Sequence, residues 1–483
     1  MKFNIVILMA ILGFTTNTFS QIEFIPHVVI QGPGSILQPG YVLTFDVDND
    51  GDIDIAASSF GDGKLAWHEN DGQQNFIQHV ITTDVYGFSQ IWSVDMEGDG
   101  DIDLLSSGGN YFTVKWYEND GNGGFTTHYI SSEASADSGI YAVSVWTADV
   151  GNDGDIDIVA GGINSPEIRW YENDGSNSNF TTHIVDTIGL FDYTSDWGPV
   201  NATIFCDLDQ DNDQDLLVVS EVPEINNWDG ILLWYKNDGN QNFERQIIST
   251  SVHHPRNVRA RDLDQDGDID IVISEYQNKM EWFENDGQEN FTQHRIEAAK
   301  NSNTLHIADL DNDGDLDLVA GYPFDNEIAW LENDGSQNFT NHIIKDNILF
   351  SEGVWADDVD LDGDIDVLSA SQWDHKVMWY ESNLNPVGIN EHSATPLQFV
   401  LEQNYPNPFN PATTIEFSLP KSGFVTLRIY NLLGQEVATL LEGHKPSGRY
   451  VVNFDASKLS SGIYYYTLTT DDFMQTRKMV LLR

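Results

Sequence analysis

The sequence predicts an all-β protein: a seven-bladed β-propeller closed by its N-terminal strand, followed by a small C-terminal β-sandwich. Three observations predict it. A nine-residue acidic stretch recurs seven times in the 483 residues. The intervals between the first Asp of successive copies run 49, 54, 58, 55, 47 and 49 residues, a period that suits several short strands per unit. Each unit also carries a version of a second signature, typified by EIAWLENDGSQNFTNHII at 327–344. There, alternating apolar residues run into Asn-Asp-Gly, the mark of a tight hairpin, and a second strand leaves it. One unit therefore reads as four strands: A before the acidic loop, B after it, C before the Asn-Asp-Gly turn and D beyond. Seven such antiparallel units make seven blades.

Taken in chain order, residues 1–20 read as a secretory signal. Lys2 precedes an apolar run from Phe3 to Phe14, and Thr18-Phe19-Ser20 precedes the expected cleavage before Gln21. That run is too short to span a bilayer, and no other stretch reaches 18 apolar residues, so no transmembrane segment is expected in the mature chain. Residues 21–383 carry the blades. The seventh unit stops after its strand C, HKVMWYESN (375–383), while FIPHVVI at 24–30 matches the strand D run FIQHVI at 76–81. The N-terminus should supply the missing outer strand and remove an exposed edge. Residues 384–398 read as a linker. Residues 399–483, with the alternating runs TTIEFSL and VTLRIY between Gly/Pro turns, read as a sandwich.

The net charge is −55, and it is concentrated: residues 1–398 hold 14 Lys/Arg against 70 Asp/Glu. Such an excess repels nucleic acid and anionic lipid and excludes both as primary partners. Cys206 is the single cysteine, so no internal disulfide can clamp the chain; it reads as a small buried residue.

The acidic copies suggest another clamp. Carboxylates at alternate positions repel one another unless a cation sits among them. A loop turning at a Gly offers carboxylates from positions 1, 3, 5 and 9 and a carbonyl from position 7, which suits a hard divalent ion. Position 12 of the sixth copy is Ala320 rather than Glu, and the flanks read as strands, so these are not EF-hands. The candidate ligands are Asp46, Asp48, Asp50, Asp52 and Asp54 in the first loop, and Asp95, Glu97, Asp99, Asp101 and Asp103 in the second. The third offers Asp149, Asp153, Asp155 and Asp157; the fourth Asp207, Asp209, Asp211, Asp213 and Asp215. The fifth offers Asp262, Asp264, Asp266, Asp268 and Asp270, and the sixth Asp309, Asp311, Asp313, Asp315 and Asp317. Asp358, Asp360, Asp362, Asp364 and Asp366 complete the seventh. Up to seven structural Ca²⁺ ions are expected. Gly151 removes a ligand from the third loop, and Asn212 replaces the turn Gly of the fourth. Recurrent residues are assigned to structure: the strand C tryptophans (Trp67 to Trp379) to packing between blades, and the strand D histidines (His79, His128, His183, His294, His342, with Gln246 in the fourth copy) to a repeated hydrogen bond.

The D-x-D-x-D-G-D-x-D loops resemble the FG-GAP and VCBS repeats, a family that includes integrin α-subunit propellers, several lectins and some polysaccharide-degrading enzymes. The resemblance covers roughly residues 21–383 and implies calcium in the matching loops. The runs LEQNYPNPFNPATTIEFSLP (401–420), YNLLGQEVATL (430–440) and FDASKLSSGIYYYTL (454–468), with the ending KMVLLR, resemble the type A sorting domain of the type IX secretion system. That implies the secretion machinery as a partner, an outer-surface or secreted location, and a Gram-negative host of the Bacteroidetes type.

Function that needs asymmetry should sit opposite the regular acidic face, on the B–C and D–A connections. These carry Tyr111, Tyr193, Trp197, Trp228, Tyr276, Tyr322 and Trp373, flat rings beside amides that suit a sugar. A carbohydrate or glycoconjugate is the favoured ligand of a binding or adhesion module. One alternative is a lyase-like enzyme using His253, His254 and Arg256, part of the array's one basic concentration; another is a protein-binding surface scaffold.

Overall fold

The computed structural model describes residues 22–384 apart from 32–35, 86–89, 109–113, 131–140, 164–166, 177–178, 189–199, 222–228 and 277–279. It also describes 400–482 apart from stretches of one to three residues. The expected signal and most of the expected linker lie outside the described residues.

The described residues are all-β with no helix. Between residues 23 and 383 they fall into seven four-stranded antiparallel sheets, each in meander order. The sixth is representative: A Thr304–Ala308, B Asp317–Tyr322, C Glu327–Asn333 and D Phe339–Asp346. Strand B is buried at every position, whereas D is buried at none, so B is flanked by neighbours on both faces and D lies at the rim. The seventh sheet is assembled from both ends of this region. Its order is Glu23–Gln31, Lys376–Asn383, Asp366–Ser371, Ser351–Asp357. His27 stands opposite Trp379, the register that His342 keeps with Trp330.

Apolar cores fill the space between successive sheets. Trp330 packs with Val354, Val367 and Met378 of the seventh sheet. Trp379 packs in turn with Val42, Ile55 and Ala57 of the first. The strand C tryptophans thus bridge neighbouring sheets. The A strands Pro39–Phe45, Ile91–Val94, Tyr141–Ala148, Val200–Cys206, Pro255–Arg261, Thr304–Ala308 and Ser351–Asp357 touch one another in chain order, and the last also touches the first. Cys206 is half-buried beside Ala202, Ile204 and Val258, and burial pushes its thiol up.

The C-terminal segment forms one sheet of Val400–Leu401, Ala412–Leu419 and Gly448–Asp455. A second contains Glu436–Lys445, Gly423–Tyr430, Gly462–Thr469 and Met474–Leu481. Ile415 and Phe417 of the first share a core with Leu427, Ile429, Tyr466 and Leu468 of the second.

Candidate metal centres and an aromatic row

Each acidic loop is drawn tight by its own backbone. In the sixth, Asp309 accepts from the N–H groups of Asp313 (3.2 Å) and Gly314 (3.0 Å), and Asp313 accepts from Asp315 at 2.9 Å. Gly314 has φ +98°, open to Gly and costly for residues with a Cβ. Asn212, its counterpart in the fourth loop, adopts φ +74°, which Asn tolerates better than most.

The five positions play different parts. Position 9 is a buried latch: Asp317 accepts from Leu310 N–H at 3.0 Å and from Asn333 N–H, at the end of strand C, at 2.8 Å. Asp54, Asp103, Asp157, Asp215, Asp270 and Asp366 make the same two bonds. Position 7 turns away from the loop centre. A Cβ on Gly335 of the Asn-Asp-Gly turn would collide with Asp315 Oδ2, and Gly72, Gly121, Gly175, Gly239 and Gly287 are crowded likewise by Asp52, Asp101, Asp155, Asp213 and Asp268. The side chains at position 7 therefore abut the C–D turn, where their own carbonyls are the ligands the sequence suggested. Position 4, unassigned by sequence, reaches outward. Asn49 Nδ2 donates to Asp101 of the next loop at 2.7 Å, Asn152 to Asp213 at 2.9 Å and Gln265 to Asp315 at 3.0 Å. Gly98 and Leu361 hold this position in the second and seventh loops and have no amide to offer.

Positions 1 and 3 converge with 5 or 9. Asp46, Asp48 and Asp50 bring carboxylate oxygens within 4.8 Å of one another, as do Asp207, Asp209 and Asp211. So do Asp262, Asp264 and Asp270; Asp309, Asp311 and Asp317; and Asp358, Asp360 and Asp366. The third loop, which lacks a carboxylate at Gly151, and the second, with its longer Glu97, make no such triad among the described residues. Burial and mutual repulsion push Asp311 up to about 6, Asp360 to about 7 and Asp366 to about 8. Buried oxygens of Asp48, Glu97, Asp207, Asp209 and Asp262 have no hydrogen-bond partner. Oxygen-only donors, uncompensated charge and orphaned oxygens together fit a hard divalent cation, whose charge would reverse the upward shifts.

The strand D histidines are placed as a repeated bond, with a partner the sequence reading did not name. His342 stacks on Trp330 at 4.8 Å and its Nε2 lies 2.6 Å from Glu332 of strand C. His27, His79, His128, His183 and His294 repeat this with Glu381, Glu69, Glu118, Glu172 and Glu284. In the fourth sheet Lys236 stands where the others have Glu, and its ammonium pairs with Asp209 in the loop and with Glu289.

On the opposite end of the strands, Tyr276, Phe324, Phe350 and Trp373 form a row from the fifth, sixth and seventh sheets. Tyr276 meets Phe324 edge-on at 4.9 Å, Phe324 meets Phe350 edge-on at 6.0 Å, and Phe350 stacks on Trp373 at 4.6 Å. Phe324 is 49% exposed and Trp373 59%. Arg256 lies over Tyr276 at 4.7 Å. Phe350 was missed by sequence reasoning, its only signal being an aromatic in the connection NILFSEG.

The other ligand candidates divide. Tyr111, Tyr193, Trp197 and Trp228 lie outside the described residues. Tyr322 is corrected to a core residue: it ends a strand buried at every position, and its hydroxyl accepts from Asn341 at 3.0 Å. His254 is also buried, its Nδ1 3.0 Å from Glu221, whereas His253 is exposed and Arg256 half-buried.

These features define an exported repeat protein of four-stranded antiparallel sheets, propeller-like in architecture, with acidic loops at one end. The chain belongs to the FG-GAP-like repeat family, which it matches at residues 46–106, 95–160, 207–273, 262–320 and 309–369. The stretch between these matches separates the third and fourth repeats, whose loops carry the Gly151 and Asn212 departures. Residues 403–482 match the secretion system C-terminal sorting domain, an address for type IX secretion to the cell surface. Among solved structures the chain is similar to a lectin of Agrocybe aegerita recognising non-reducing terminal N-acetylglucosamine. The identity is 18% and the TM-score 0.46, covering 72% of this chain and 86% of that one. It is also similar to Raptor of Chaetomium thermophilum, at 11% identity and TM-score 0.46, covering 72% of this chain and 28% of that one. No curated protein matches it.

Proposed function

We propose that the protein is a calcium-stabilised, seven-bladed β-propeller over residues 21–383 that acts at the cell surface as a carbohydrate-binding module. Residues 399–483 form a sorting sandwich. The observation that carries the binding reading is the aromatic row of Tyr276, Phe324, Phe350 and Trp373, exposed at Phe324 and Trp373. Rings of this kind stack on the C–H faces of sugars, and a surface row spanning three sheets offers length for several residues of a glycan. His254, buried against Glu221, presents no base to a surface substrate, which leaves the exposed His253 as the one histidine of that cluster a lyase could use.

Closure of the ring is supported by the strand pairing of Glu23–Gln31 with Lys376–Asn383 and by the core shared between the seventh and first sheets. Calcium would be held by positions 1 and 3 with position 5 or 9. When bound, the ion cancels carboxylate repulsion and crosslinks strand A to strand B. The acids themselves hold the loop backbone ready for it and take no part in ligand chemistry.

A glycan array probed in calcium buffer tests the binding reading. The wild type should bind a defined set of glycans, and Trp373→Ala with Phe324→Ala should lose at least tenfold in affinity with no change in melting midpoint. Equal binding by that variant, or no binding by the wild type, would exclude the row as the site.

A further inference from the structure

Strand A of the fifth repeat, Pro255–Arg261, carries two arginines whose charges are not answered by any described acid. Arg259 Nη1 donates to its neighbour's carbonyl, Val258 O, at 2.9 Å, and Arg261 Nη1 to Ala260 O at 3.0 Å. No carboxylate lies within ion-pair distance of either among the described residues, in a chain of 77 acidic residues. Glu352, which shares the neighbourhood of Tyr41 with Arg259, accepts from Asn303 at 3.0 Å, and Asp262, next to Arg261 in the chain, accepts from Gly267 N–H at 3.2 Å. Each guanidinium has five N–H donors and uses one of them here.

The surroundings are aromatic and come from A strands of other repeats. Arg259 lies over Trp146 at 5.5 Å, Trp146 stacks on Trp92 at 3.7 Å, and Trp92 meets Trp355 edge-on at 6.2 Å. His306 lies against Trp355 at 4.4 Å, and its Nδ1 is buried with no partner. Residues from the second, third, fifth, sixth and seventh repeats therefore meet where the A strands converge. Burial and the charges of Arg259 and Arg261 push His306 down to about 3, so it is neutral at pH 7. Burial holds Arg259 down, to about 10. Arg259 is half-buried, and a cation–π contact returns only about 0.5–2 kcal/mol, a partial offset to drawing its charge out of water. The aromatic neighbours do not account for the placement.

We propose that Arg259 and Arg261, with the neutral His306, form an anion site at the meeting point of the A strands, taking a single carboxylate or sulfate group. Two residues apart on one strand, they face the same side about 7 Å from each other, a spacing that lets two guanidinium groups grip one oxyanion. Arg261 is exposed at the loop end of the strand. The group is either a free ion or the acidic end of a larger ligand. The site is separate from the aromatic row, so failure of either reading leaves the other standing.

Tryptophan fluorescence reads this directly, because Trp92 and Trp146 adjoin the arginines. The purified protein in calcium buffer is titrated with sulfate, with acetate, with an oligogalacturonate and with a neutral oligosaccharide. A saturable change with sulfate or acetate, weakened at least tenfold in Arg261→Gln and abolished in Arg259→Met, is the expected result. A response to the oligogalacturonate alone, lost in the same variants, assigns the site to a carboxylate on a larger ligand. No saturable response to any anion, or an undiminished response in Arg261→Gln, overturns the proposal. Arg261 is exposed, so its variant remains informative even if Arg259→Met fails to fold.

Discussion

The sixth and fourth repeats share a backbone and differ in how they answer the same excess of negative charge. In the sixth, Glu332 pairs with His342, and among the described residues no Lys or Arg pairs with Asp309, Asp311 or Asp317, which converge as a triad. In the fourth, Lys236 replaces the glutamate and Gln246 replaces the histidine, opposite Trp234. The two changes belong together. A histidine beside Lys236 would lose its acceptor and face a like charge, whereas glutamine is neutral. Lys236 then turns its ammonium onto Asp209, and the carboxylates of Asp209 and Glu289 hold its pKa up. The fourth repeat brings its own positive charge to the loop; in the sixth, on the proposed reading, a divalent ion would take that place.

The latch at position 9 is common to both and should cost most to remove. Asp317→Ala strands two buried N–H groups and should destabilise by about 3 kcal/mol, and Asp215→Ala by a similar amount, read from urea melts. A large difference between them would mean that the repeats differ in more than charge. Next in size is a conversion of the fourth repeat. Lys236→Glu with Gln246→His should strengthen calcium binding there and add about 1.4 kcal/mol of calcium-dependent stability at tenfold excess over the dissociation constant. Calorimetric titration showing no tighter or additional site would break the comparison. Lys236→Met alone should cost roughly 0.5–1 kcal/mol in chelator, since the ammonium is partly solvated, and less in calcium. A last comparison separates the two outer strands: His342→Ala should cost about 0.5 kcal/mol through its exposed stack and hydrogen bond, and Gln246→Ala roughly a third of that. Equal costs would show that the histidine pairing contributes nothing of its own.

Much of this was legible in the sequence because it repeats. The acidic period marked the A–B turns, the Asn-Asp-Gly runs marked the C–D turns, and the match of FIPHVVI to FIQHVI placed Glu23–Gln31 beside strand C of the last sheet. Recurrence also separated Trp330 and His342 from any unique site. What stayed hidden depends on where a side chain turns. Strand spacing gives Asp315 and Asp317 the same face, yet one packs on a turn glycine while the other latches buried amides. Asn49 and Gln265 carried no assignment in the sequence because their partners lie about fifty residues away on another sheet. Tyr322 read as a loop residue because the strand runs one residue further than its sequence neighbours suggest. Phe350 gained meaning only through Phe324 and Trp373, each contributed by a different connection.

The central claim is that bound calcium offsets the loop charge and so holds the sheets together. Scanning calorimetry of the full chain after chelation, and again after adding calcium or magnesium in millimolar excess, tests it most directly. Five to seven weak sites predict a melting midpoint lower by roughly 10 °C without metal, restored by calcium and much less by magnesium. An unchanged midpoint on chelation would contradict the account.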